Sequence, residues 1–97
     1  MNIRLTQAEK ETIISCIRNF DAACKIFLYG SRINPSMKGG DIDLLVESET
    51  LKFSDKIRIL SELKAKLGDR KIDLSILTHQ ALSENLFFQQ VEKVPLN

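Results

Sequence analysis

The sequence predicts an α/β (α+β) domain built on a small mixed sheet. Three observations carry this: segments with helical apolar spacing, short apolar runs between them, and turn residues separating the two kinds. The expected order is αβ(α)βαβα, with a sheet of three strands or slightly more. At 97 residues the chain is expected to form one domain, residues 1–97. Such a chain buries roughly 60–65% of the surface it exposes when unfolded, enough for one core but not for a second, substrate-holding domain.

Thr6-Gln7-Ala8-Glu9 fits the capping box, with Thr6 as N-cap and Glu9 reaching back to its amide. Ile13, Ile14, Ile17 and Phe20 then recur at helical spacing, predicting a helix over about 7–20. Residues 25–29, Lys-Ile-Phe-Leu-Tyr, read as a mostly buried strand stopped by Gly30. Ser31 suits the cap of a short helical turn, which Pro35 and Gly39-Gly40 would confine. Residues 41–47 form the second expected strand. The following helix carries Phe53, Ile57, Leu60, Leu63 and Leu67 on one stripe and ends at Gly68. Residues 71–77 alternate, with Ile72, Leu74 and Ile76 on one face and Asp73 and Ser75 on the other, as in a half-covered strand. Thr78 opens a last helix whose apolar side is expected to be Leu82, Leu86, Phe87 and Val91. Phe87 and Phe88 are adjacent, so one helix face cannot bury both.

The balance of 43% hydrophobic and 28% charged residues is that of an ordinary globular protein. A formal charge of +1 argues against bulk electrostatic attachment to nucleic acid. Cys16 and Cys24 form no C-x-x-C pair and are expected to be reduced, buried thiols. With no apolar leader and no run approaching ~18 apolar residues, a cytoplasmic location is expected. His79 has no second histidine or cysteine to complete a metal set and reads as a helix-start or surface residue.

The chemistry concentrates in Gly30-Ser31 and three aspartates. Asp41 and Asp43 stand at i and i+2 of a strand and therefore share a face, while Ile42 and Leu44 take the core. If the first two strands pair antiparallel, the Gly-Ser turn and both aspartates lie at one edge of the sheet. A helix of about fifteen residues is the crossover a parallel pair needs, and it would return Asp73 to that same edge. Carboxylates this close repel one another unless a proton or cation intervenes. Magnesium, a hard ion favouring carboxylates plus substrate phosphates, is the expected cofactor, with Asp41, Asp43 and Asp73 as ligands. Three carboxylates permit a two-metal arrangement, with Asp73 placed to take the proton of an incoming hydroxyl. Gly30 and Ser31 would receive a terminal phosphate, and Arg32 and Lys38 would offset its charge.

Gly30-Ser31-Arg32, Asp41-Ile42-Asp43-Leu44 and Lys71-Ile72-Asp73-Leu74 resemble the GS…DxD…D signature of the DNA polymerase β-like nucleotidyltransferase superfamily. The short length and the Gly-Ser-Arg opening are similar to its minimal nucleotidyltransferase (MNT) branch. The resemblance implies the nucleotidyltransferase fold. It also implies a partner, a helical HEPN-domain RNase toxin, for which the domain serves as antitoxin by moving AMP from ATP to a tyrosine of that partner. It assigns Gly30, Ser31 and Arg32 to nucleotide binding and Asp41, Asp43 and Asp73 to metal binding and catalysis. Asn34 stands where many relatives have a second arginine, and Gly40 where a serine often precedes the first aspartate. Two other functions stay open at this point. One is an antitoxin that neutralises its partner by binding alone. The other is a stand-alone transferase for small molecules, although the helical acceptor domain of such enzymes has no counterpart here.

Overall fold

The computed structural model of the chain describes residues 5–30, 41–68 and 70–97. Helix α1 (Gln7–Arg18) begins as the capping box requires: Thr6 Oγ1 accepts from the Glu9 amide at 3.1 Å, and Glu9 Oε1 accepts from the Thr6 amide at 2.9 Å. Its buried side consists of Ile13, Cys16 and Ile17. Both cysteines are buried free thiols. Burial and the nearby Glu62 carboxylate push the Cys16 thiol up to about 11, which keeps it protonated and inert near neutrality.

Strands β1 (Lys25–Tyr29) and β2 (Ile42–Glu47) pair antiparallel, and helix α2 (Phe53–Leu67) carries the chain across to β3 (Ile72–Leu77), parallel to β2. Gly68 stops α2 with φ +85, a conformation that L side chains rarely adopt. The last apolar segment is two helices rather than the one expected, α3 (His79–Glu84) and α4 (Leu86–Gln90). Asn85 separates them: its backbone is extended and its side chain caps α4 by accepting from the Phe88 amide at 3.0 Å. The break rephases the apolar side. Leu82 and Phe88 point inward, whereas Leu86 and Phe87, expected inside, are 77% and 58% exposed.

A fourth strand, β4 (Lys93–Pro95), pairs antiparallel with β1 and completes the sheet order β3-β2-β1-β4. Sequence reading left this segment without a strand because it is three residues long and contains a proline. On an edge, Pro95 needs no donor on its outer side. The strand is extended beyond Pro95 by the Leu96 amide, which donates to the Ile26 carbonyl at 2.7 Å. Asn97 then substitutes its side chain for a backbone partner, accepting from the Ile26 amide at 2.9 Å and donating to the Cys24 carbonyl at 3.0 Å.

The sheet has two unlike faces. One packs Ile26, Leu28, Ile42, Leu44, Val46, Ile72 and Leu74 against Ile13 and Ile17 of α1 and Ile59 and Leu63 of α2. The α2 stripe is therefore centred on Ile59 and Leu63, not on Phe53 and Ile57, which are 72% and 54% exposed. The other face carries a smaller cluster of Leu45, Leu82 and Phe88, flanked by Phe27, Tyr29, Leu77 and Val91. The one buried polar residue among those described, Ser48, is satisfied: its hydroxyl donates to Asp21 at 2.5 Å and accepts from the Leu51 amide at 3.1 Å. No described helix is long and apolar enough to cross a membrane.

Asn97→Ala is expected to lower stability by about 1–2 kcal/mol, because it strands the Ile26 amide and the Cys24 carbonyl without partners. Urea unfolding would show this as a lower midpoint with unchanged slope.

Candidate active site

Register turns the second face into rows that run across the strands. Tyr29 of β1 opposes Asp43 of β2, which opposes Asp73 of β3. The next row is Phe27, Leu45 and Ser75, and the third is Lys25, Glu47 and Leu77. Side chains directly opposite one another share a face. Asp43 and Asp73 thus project side by side at the end where β2 and β3 begin. Ile42, Ile72, Leu44 and Leu74 occupy the alternate positions and are buried on the far side.

The two carboxyls are within hydrogen-bonding reach of each other. Asp43 is half-buried while Asp73 is exposed. Burial first, then the hydrogen bond and charge of Asp73, then the charge of Asp41 hold the Asp43 carboxyl above its ordinary value of 3.8, and Lys71 offsets part of that. Asp41, exposed and immediately before β2, acts on Asp43 through its charge. Among the described residues no three His, Cys, Asp or Glu side chains form a ready-made metal cluster; the geometry assembles a pair, with Asp41 close by. This donor set fits a hard divalent cation. All its atoms are carboxylate oxygens, and the charges of Asp73 and Asp41, which add to burial in raising Asp43, are what such an ion would offset.

Gly30 closes the site from the end of β1. Its φ is +79, and a Cβ at this position would stand 2.5 Å from Asp43 Oδ2. The glycine is therefore required twice, for its left-handed backbone and for the room its missing side chain gives the carboxylate. Sequence reading assigned Gly30 only to phosphate approach. The remaining residues of the expected phosphate cradle, Ser31 and Arg32, lie outside the described residues, as do Asn34, Lys38 and Gly40.

Tyr29, which sequence reading took for an ordinary packed strand residue, belongs to this row. The Ser75 hydroxyl on β3 acts on its phenol, and its ring packs against the Leu45 cluster. It lies between the acid pair and the Leu45 cluster. Burial and the charges of Asp43 and Asp73 hold its phenol above the ordinary value, partly countered by Ser75, so it stays protonated at neutral pH. The signal available beforehand was register: the residue before the glycine turn must oppose one of the strand-opening aspartates. His79 is the first residue of α3, as expected, and is remote from the acids. Its amide donates to Glu49 at 2.7 Å and its Nδ1 stands 3.2 Å from Glu47, at the other end of β2.

A carboxyl raised in the folded state binds its proton more tightly there than in the unfolded chain. Its contribution to stability is present below pH 3.8 and is lost as pH rises through the raised folded value. Asp43→Asn is thus expected to melt a few degrees higher than wild type at pH 7 in metal-free buffer, the gap narrowing as pH falls through the raised folded value and closed below 3.8. Gly30→Ala is expected to destabilise the chain, and less so in an Asp43→Ala background, where the carboxylate it would strike is gone. A double-mutant cycle on urea midpoints isolates that coupling.

The family described as Polymerase beta, Nucleotidyltransferase matches residues 11–94, which include Gly30, Asp41, Asp43 and Asp73. No curated protein matches the sequence. The mixed sheet, the parallel β2-α2-β3 crossover and the acids opening β2 and β3 agree with that match. The chain belongs to the polymerase β nucleotidyltransferase family.

Proposed function

We propose that this domain is a magnesium-dependent nucleotidyltransferase that moves AMP from ATP to a hydroxyl of a partner protein. The acceptor in this reading is a tyrosine of a HEPN-type RNase toxin, so that the domain acts as an antitoxin. The observation that carries the transferase reading is the in-register pair Asp43 and Asp73, charged alike and held on one face beside a left-handed glycine. Support for a protein acceptor comes from the exposure of Asp41 and Asp73 at that end. Among the described residues, the apolar contacts of α3 and α4 with this face centre on Leu45, Phe27 and Leu77, and Asp41 and Asp73 remain exposed. The HEPN identity rests on the resemblance of the motifs alone.

In this reading Asp41, Asp43 and Asp73 hold the magnesium, and Gly30, with Ser31 and Arg32 after it, receives the triphosphate. Bound magnesium supplies positive charge against the triphosphate and against the charge that builds on it during transfer. The acceptor oxygen attacks the α-phosphorus as the bond from that phosphorus to the β-bridging oxygen breaks. Pyrophosphate departs with the bonding electron pair. Asp73, exposed at the rim, accepts the acceptor's proton on a carboxylate oxygen. Asp43 stays more enclosed, fixed under Gly30, and orients its neighbour.

Incubation of the protein with a HEPN partner, magnesium and ATP labelled at the α-phosphate is expected to label the partner. Asp43→Ala or Asp73→Ala should slow labelling at least about 100-fold. An unlabelled partner, or an Asp43→Ala variant as fast as wild type, contradicts the proposal. Neutralisation of the partner that survives loss of all three aspartates would instead identify an antitoxin acting by binding.

A further inference from the structure

We propose that the exposed ring of Phe87 is the stacking platform for the nucleobase of the bound nucleotide. The inference rests on the nucleotidyltransferase reading above and adds to it the part of the site that grips the base. Phe87 is 58% exposed, yet its ring is held in place. It meets Phe88 edge-to-face at 5.0 Å between centroids and 77°, and Tyr29 at 6.1 Å and 79°. Tyr29 and Phe88 meet in the same manner at 5.1 Å and 87°. Each ring of this trio touches both others, and Phe88, 6% exposed, anchors it in the smaller apolar cluster. An aromatic face fixed in advance loses little freedom when a planar ligand settles on it.

Position selects the occupant. Tyr29 opposes Asp43 in the sheet, so Phe87 stands one aromatic ring away from the carboxylate pair and next to the face that pair occupies. A triphosphate held at the acids extends through its ribose to a base, and the base needs a flat apolar support at a short remove. Among the described residues, the other exposed large apolar side chains do not meet these conditions. Phe53 and Ile57 are as exposed, but they belong to α2, whose buried residues pack the opposite face of the sheet. Leu86, although adjacent, has no planar face. Stacking on a phenyl ring accepts any base, so Phe87 supplies affinity for nucleotides as a class and no choice between adenine and guanine.

The chain contains no tryptophan, so Phe87→Trp introduces a single indole at the position in question. With magnesium present, wild type, Phe87→Trp and Phe87→Leu are titrated with ATP, GTP and inorganic tripolyphosphate, and their melting is checked alongside. Phe87→Leu keeps apolar bulk against Phe88 but offers no flat face. It is expected to weaken ATP and GTP about tenfold and to leave tripolyphosphate within about twofold. The indole fluorescence of Phe87→Trp is expected to change with ATP and GTP and not with tripolyphosphate, and affinity for both nucleotides should hold or improve. Should Phe87→Leu weaken the nucleotides and tripolyphosphate alike, or none of them, while the indole fails to respond to ATP, the stacking proposal is overturned and the ring is left to an acceptor protein. Should wild type bind neither ATP nor tripolyphosphate, the transferase reading itself fails and this one falls with it.

Discussion

The parallel, in-register pairing of β2 with β3 is the constraint on which the site depends. Asp43 lies opposite Asp73 because Ile42, Leu44 and Val46 lie opposite Ile72, Leu74 and Ile76 in the core. A slip of one residue would send Asp73 into that core and bring isoleucine and leucine to the rim. The apolar alternation, repeated over three pairs, is far more costly to break than two exposed-face carboxylates are to hold together. Core packing therefore imposes a repulsion that the chain would not otherwise accept. Burial first, and then Asp73, raise the Asp43 carboxyl at the position so imposed. Strain of this kind, maintained by a surrounding fold that over-determines it, is expected where a ligand is to be bound.

The rest of the site is arranged around Asp43. Gly30 leaves out a side chain that would strike its carboxylate, and Tyr29 opposes it from β1. The phenol divides one sheet face into two environments, an acidic rim and an apolar patch under α3 and α4. That division lets a 97-residue chain place charged chemistry next to a small second core, with Asp41 and Asp73 exposed and Asp43 half-buried. It also leaves the rings of Tyr29, Phe87 and Phe88 as the contact between the two halves.

Much of this was legible in the sequence because it follows from period-two patterning. The placement of Asp43 on the face opposite Ile42 and Leu44 and the return of Asp73 to the same edge require only strand alternation and a crossover of adequate length. Asp41, expected inside the strand, lies just before it. The elements that were missed depend on tertiary partners. Lys93-Val94-Pro95 is a strand only because β1 offers it an edge, and Asn97 extends that edge with a side chain. Asn85 divides the last helix by capping, an event that apolar spacing does not report. On α2 two apolar stripes overlap, one through Phe53 and Ile57 and one through Ile59 and Leu63. Packing against α1 and the sheet buries the second. The Gly-Ser-Arg turn was conspicuous from composition, but of its members only Gly30 can be placed against the acids.

In the proposed reading Asp43 and Asp73 form a like-charged pair whose repulsion a divalent cation relieves. Carbon-13 NMR of the aspartate side-chain carboxyls, titrated with pH in the absence and presence of magnesium, tests it directly. Asp43 is expected to titrate above the ordinary aspartate range without metal, and magnesium is expected to move its midpoint below that range while shifting the Asp73 carboxyl resonance. An Asp43 that titrates as an ordinary aspartate and ignores magnesium would contradict it.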